Sequence, residues 1–132
     1  MEKVISIFLV DDDTDDQDIF VEVLKEINAS IHCTTAFDGE EALAILKNNL
    51  PHLPDYIFLD LNMPRMNGRQ FLKVLKSIEI LKDIPVIIYS TSSSLSHKEE
   101  MMNLGAAYFL TKHNSLAGLR TELEHVLFKG IV

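Results

Sequence analysis

Val4-Ile5-Ser6-Ile7-Phe8-Leu9-Val10 runs straight into Asp11-Asp12-Asp13, and Tyr56-Ile57-Phe58-Leu59 ends in Asp60, followed by Leu61-Asn62-Met63-Pro64. Apolar runs this short, rich in β-branched and aromatic residues, read as strands buried on both faces. If both lie in one parallel sheet, their C-terminal ends open on the same edge, where α/β proteins bind ligands. Three or more carboxylates then share one small crevice. Like charges that close cannot all stay ionised without a cation between them, which points to a divalent metal.

The elements between and after these runs decide the class. Thr14-Asp15-Asp16-Gln17 has the spacing of a capping box with Thr14 as N-cap. Ile19, Phe20, Val23, Leu24 and Ile27 follow at helical intervals. Ile31 to Ala36 reads as a second strand. Asp38-Gly39 turns the chain into a helix with an apolar face of Ala42, Leu43, Ile45, Leu46 and Leu50, ended by Pro51 and Pro54. After the Asp60 strand, Asn67-Gly68 leads into a helix striped by Phe71, Leu72, Val74, Leu75 and Ile78. Pro85 to Tyr89 is a fourth strand, Ser90 to Ser94 a hydroxyl-rich loop, and Ser96-His97-Lys98-Glu99 repeats the capping-box spacing before a helix that stops at Gly105. Ala106 to Leu110 is a fifth strand, and Leu116, Leu119, Leu123, Val126 and Leu127 stripe the last helix. Strands alternating with helices over short connections predict an α/β fold, a doubly wound parallel sheet of five strands covered by helices on both faces.

Length and composition set the outer bounds. At 132 residues the chain is expected to be one domain, residues 1–132, with no room for an output domain. A net charge of −8 argues against nonspecific binding to DNA phosphates or anionic lipid. One cysteine, Cys33, excludes an internal disulfide and suits a reducing cytoplasm, and its apolar neighbours favour a buried structural thiol. The first apolar run is too short for a secretion signal, and nothing approaches the roughly 20 apolar residues of a membrane span.

Strand ends collect the chemistry. Strand one supplies Asp11, Asp12 and Asp13, strand three Asp60, strand four Ser90 and Thr91, and strand five Thr111 and Lys112. Carboxylates around a metal, a hydroxyl and a lysine make a phosphoryl-transfer site in which one carboxylate is left over as nucleophile. An EF-hand reading of Asp11, Asp13, Asp15 and Glu22 fails because Asp16 replaces the required glycine and a strand precedes the loop. The five histidines, His32, His52, His97, His113 and His125, are scattered without metal-ligand pairing.

Taken together, Phe8 to Asp13, Ala36 to Leu43, Leu59-Asp60-Leu61-Asn62-Met63-Pro64-Arg65-Met66-Asn67-Gly68 and the Ser90 and Lys112 strand ends resemble the receiver domain of bacterial two-component response regulators, over nearly the whole chain. The resemblance implies a flavodoxin-like fold and an aspartyl phosphate formed on Asp60. It implies Mg2+ held by Asp11, Asp12 and Asp60 with the Asn62 carbonyl oxygen, Ser90 hydrogen-bonded to the phosphoryl group, Lys112 paired with it, and Phe109 as the aromatic switch. It further implies a cytoplasmic protein that receives its phosphoryl group from a sensor histidine kinase or a histidine phosphotransfer protein. Output would pass to a protein partner through the helix after Ser96, the fifth strand and the last helix, a face that can also pair two copies. The Asp60 loop is similar to that of phytochrome-associated stand-alone receivers.

Two positions depart from the family pattern. His113 stands where proline usually follows the lysine. A cis bond before a non-proline residue costs about 2.5–4 kcal/mol, so either a trans Lys112–His113 bond with a shifted loop or a strained cis bond is expected. Ser90 replaces a common threonine. Asn62 and Ser92, at positions that tune dephosphorylation, are uncharged. Two rivals stand beside this reading: a receiver-like interaction module that is never phosphorylated, and a small Mg-dependent phosphohydrolase with an aspartate nucleophile. The first is opposed by the complete set of Asp12, Asp60, Ser90 and Lys112. The second is opposed by Asn62, where such enzymes carry an acid. A flavin site, the fold-level alternative, would need hydroxyls and free amides where the first loop has carboxylates. No turnover enzyme is expected.

Overall fold

The computed structural model describes residues 4–91, 94–112 and 115–129. Five strands, β1 (Ser6–Val10), β2 (His32–Ala36), β3 (Tyr56–Leu59), β4 (Val86–Ser90) and β5 (Tyr108–Thr111), pair in parallel in the order β2-β1-β3-β4-β5. Between and after them run α1 (Thr14–Ile27), α2 (Gly39–Asn48), α3 (Gly68–Ser77), α4 (Leu95–Asn103) and α5 (Leu116–Glu124), which continues as a π-helical turn over His125–Lys129. The doubly wound architecture expected from the alternation of periods is the one observed.

Two apolar layers form because strand side chains alternate between faces. Ile7, Leu9, Phe58, Ile87, Tyr89 and Leu110 pack with Phe20, Val23 and Leu24 of α1 and Leu119 and Leu123 of α5. Phe8, Val10, Ile57, Leu59, Val86 and Ile88 pack with α2, α3 and Met101 of α4. Phe20 meets Phe58 edge to face at 5.0 Å, a geometry worth about 0.5–1.5 kcal/mol beyond the area it buries. Among the described residues no helix is long and apolar enough to cross a membrane. Cys33 is half-buried, and burial pushes its thiol up to about 12, as suits a structural cysteine.

Several local expectations need correction. Asp13, not Thr14, is the N-cap of α1: its carboxylate accepts from the N–H groups of Asp15 and Asp16 at 2.9 and 3.1 Å. Gln17 does not reach back to the cap. It turns inward, and its Nε2 donates to the carbonyls of Asp11 at 2.7 Å and Ala36 at 3.1 Å, tying the ends of β1 and β2 together. The Ser96–Glu99 box does not form, since α4 begins at Leu95 after Ser94 and has no side-chain cap. The true capping box is at Asn67, which accepts from Gln70 N–H while Gln70 Oε1 accepts from Asn67 N–H. Pro85 precedes β4 rather than opening it, and β5 is displaced to Tyr108–Thr111. Gly105 does end α4, in the left-handed region at φ 105°.

Candidate functional site

Every strand delivers its C-terminal end to one edge, and this gathers the acidic cluster. Asp11 directly follows β1; it is wholly buried, and its N–H donates to Ala36 O at 3.0 Å. Asp60 directly follows β3, is 6% exposed, and its N–H donates to Val10 O at 2.9 Å. These backbone bonds fix the two carboxylates side by side, and the exposed Asp12 joins them. One oxygen from each of Asp11, Asp12 and Asp60 lies within 4.8 Å of the others, close enough to share one cation.

Lys112 closes the cluster from the end of β5. Its N–H donates to Ser90 O at 2.8 Å. Its Nζ lies 2.9 Å from Asp11 Oδ2, 2.8 Å from Asp16 Oδ2 and 3.6 Å from Asp60 Oδ2, and sits 5.3 Å from the centroid of the Tyr89 ring. Burial alone would lower the Lys112 pKa; the bond to Asp16, the short contact with Asp11 and the field of Asp60 reverse that and hold it above the ordinary lysine value. Burial raises Asp60 to about 6, Lys112 offsets part of the shift, and Asp11 and Asp12 add to it. Asp11 is likewise raised, by burial first, against the lowering effect of Lys112.

The donor set fits a hard divalent cation, which takes carboxylate oxygens. Asp11 Oδ1 already accepts from Asp13 N–H at 3.0 Å. Asp11 Oδ2 is buried without a well-directed hydrogen bond despite the ammonium beside it. Asp60 Oδ1 accepts only a long 3.3 Å bond from Asn62 N–H among the hydrogen bonds described. Oxygens so incompletely used in a buried cluster are what a metal would complete.

The other predicted residues divide. Ser90 is the last residue of β4, fully buried and in register with Thr111, whereas Thr91 is exposed. Asn62 is exposed, its backbone N–H turned to Asp60. Phe109 lies on β5 beside Ile88, half-buried against the α2–α4 layer, with Lys98 Nζ 5.7 Å from its ring centroid. The Lys112–His113 bond and Ser92 lie outside the described residues. Sequence reasoning missed Asp16. Its signal was its place four residues before Phe20, on the face of α1 whose ring meets Tyr89 at a tilt, 5.6 Å between centroids.

The family model for the response regulator receiver domain matches residues 7–124. The chain belongs to that family. The response regulator Rcp1 of Synechocystis sp. is 34% identical over 118 residues, covering 86% of this chain and 80% of that protein. The Mn2+-bound form of Rcp1 superposes with a TM-score of 0.81 at 30% identity, over 96% of each chain. The phosphorylated cyanobacterial phytochrome response regulator RcpA gives a TM-score of 0.84 at 32% identity, over 94% of each chain. A protein-glutamate methylesterase/protein-glutamine glutaminase of Anaeromyxobacter dehalogenans is 32% identical over 123 residues, but the chain spans only 33% of that protein's length. The receiver domain therefore functions in two-component phosphorelay signalling, and the acidic pocket is of the kind that takes a divalent metal in such domains.

Proposed function

We propose that the receiver accepts a phosphoryl group on Asp60 from a phosphohistidine of a sensor kinase or phosphotransfer protein in the cytoplasm, with Mg2+ as cofactor. One observation carries this. Asp60 is a strand-end carboxylate whose oxygens are held by only a long N–H bond and an ammonium 3.6 Å away, beside two further carboxylates. An Asp60 oxygen attacks phosphorus, the P–O bond forms as the P–N bond of the donor breaks, and the departing imidazole nitrogen takes up a proton. Asp11, Asp12 and Asp60, with the Asn62 carbonyl, would hold the metal, which when bound neutralises charge on the phosphoryl oxygens. Lys112 pairs with one phosphoryl oxygen and the Ser90 hydroxyl donates to another. Movement at Ser90 is passed to Phe109, two strand positions before Thr111, and so to the surface of α4, β5 and α5. Those helices expose Leu95, Met102 and Leu116, apolar side chains that suit a protein partner, a second copy included.

Incubation with Mg2+ and a small acyl phosphate, followed by intact mass measurement, tests the reading. One acid-labile phosphoryl group should appear on the wild type and none on Asp60→Asn. Sustained phosphate release over many turnovers would support a hydrolase instead, and an unchanged mass with every donor would leave an interaction module. We read the chain as a single receiver that signals through protein contact.

A further inference from the structure

Lys112 sits among three carboxylates that are not equivalent. Asp16 makes a well-directed hydrogen bond to it at 2.8 Å, Asp11 stands at 2.9 Å without one, and Asp60 stands at 3.6 Å, beyond the 2.7–2.9 Å of a charge-assisted bond. The ammonium is nearly buried, its side chain 10% exposed, while the Asp16 side chain is 35% exposed. The best-formed anchor of this cation is thus a carboxylate that belongs neither to the acceptor nor to the Asp11–Asp12–Asp60 cluster. Asp16 is held in place by the helix itself. The Asp13 cap fixes its backbone N–H, and Phe20, one turn on, locks the helix face against Tyr89, the ring that also underlies Lys112.

We propose that Asp16 is a positioning residue that holds Lys112 back from Asp60, so that the ammonium must exchange Asp16 for a phosphoryl oxygen when Asp60 is modified. This rests on the phosphoacceptor reading of Asp60. While Asp16 holds Lys112, the ammonium touches Asp11 but stays back from the oxygens of Asp60, which remain open to a cation. Once released, the ammonium moves onto those oxygens, competing with the metal and standing ready for an incoming phosphoryl group. Simple loss of a nearby negative charge would shift both properties in the same directions, so the test must isolate the route through Lys112.

Mg2+ affinity, followed by amide NMR of the Asp60 loop, should fall about tenfold in Asp16→Asn, the scale of one hydrogen bond to a charged group. Asp15→Asn removes the same charge from the same exposed turn and should change affinity less than about twofold. Asp16→Glu, which keeps the carboxylate, should stay near wild type. In a Lys112→Gln background, Asp16→Asn should again change affinity less than about twofold. The acyl-phosphate reaction at saturating Mg2+ should run several-fold faster in Asp16→Asn. Equal effects in Asp15→Asn and Asp16→Asn, persistence of the effect without Lys112, or slower phosphorylation in Asp16→Asn would overturn the assignment. Should Lys112→Gln fail to fold, the Lys112 ammonium resonance decides: Mg2+ should shift it more in Asp16→Asn than in wild type, because only the released ammonium sits on the oxygens the metal takes, and an equal shift would overturn the assignment. Metal coupling through Lys112 without phosphorylation of the wild type would defeat the phosphoacceptor reading alone. Normal phosphorylation without that coupling would defeat only the role of Asp16.

Discussion

Asp38 and Asp60 are the same functional group in near-equivalent places, just past the ends of β2 and β3, and both are almost fully buried at 3% and 6% exposure. They differ in how completely their oxygens are used. Asp38 caps α2, its Oδ1 accepting from Glu41 N–H at 2.9 Å, and its Oδ2 lies 3.2 Å from Arg65. Asp60 has a long bond on one oxygen and a more distant ammonium on the other, and burial drives it up to about 6. Burial of a carboxylate therefore does not distinguish the capping acid from the proposed phosphoacceptor; the unfinished coordination does.

The sharpest contrast lies in the glycines that open the two helices. A Cβ on Gly68 would strike the carbonyl oxygen of Asp60 and come within 2.8 Å of Leu61 Cα, both backbone. Gly68→Ala should cost about 3 kcal/mol in urea unfolding and move Asp60 with it, since backbone cannot yield as a side chain does. A Cβ on Gly39 would meet only the side chain of Met66, a flexible neighbour, so Gly39→Ala should cost less than about 1 kcal/mol. Equal losses would show that α3 does not approach the Asp60 loop more rigidly than α2 approaches Met66.

The carboxylates themselves should respond with opposite signs. The folded-state pKa of Asp60 lies above its ordinary value of 3.8, so the folded protein binds more protons and loses stability as pH rises from about 4 to 6. Asp60→Asn removes that loss. In metal-free buffer it should be more stable than wild type by on the order of 2–3 kcal/mol at pH 7, with the gain fading towards pH 4. Added Mg2+ should narrow the gap by stabilising the wild type. Asp38→Ala should instead destabilise by about 1–2 kcal/mol, the usual loss for an N-cap. A stabilising Asp38→Ala, or a destabilising Asp60→Asn at neutral pH, would erase the distinction between the two acids.

The sheet, its helices and the meeting of Asp11, Asp12, Asp60 and Lys112 were legible because they depend on periodicity and on which residue follows each strand. Parallel topology then brings those ends to one edge without any knowledge of side-chain packing. What escaped depends on rotation and reach. Asp13 and Thr14 are both good caps, and only the backbone conformation decides between them. Gln17 looked like a capping partner but donates inward to the carbonyls of Asp11 and Ala36, a destination spacing cannot reveal. Asp16 met Lys112 across 96 residues, a contact fixed by the phase of α1 on Phe20 rather than by any motif.

The weakest link in the contrast is Arg65, and it offers the finest test. Arg65 adopts φ 60°, an uncommon conformation for a residue with a side chain, and its guanidinium reaches Asp38 Oδ2 at 3.2 Å. The ion pair could be what holds the loop from Asp60 to Gly68 against α2. The guanidinium is 70% exposed, however, and solvent screening reduces such pairs to small values. The same loop is also held by the Gly39 N–H bond to Met66 O at 3.1 Å and the Gly68 N–H bond to Leu61 O at 3.1 Å. Arg65→Ala keeps both bonds and the left-handed backbone, so it should cost no more than about 0.5 kcal/mol and leave Mg2+ affinity within about twofold. A larger loss would mean that Asp38 is finished by Arg65 rather than by its cap, and that Asp38 depends on the Asp60 loop as much as the loop depends on it.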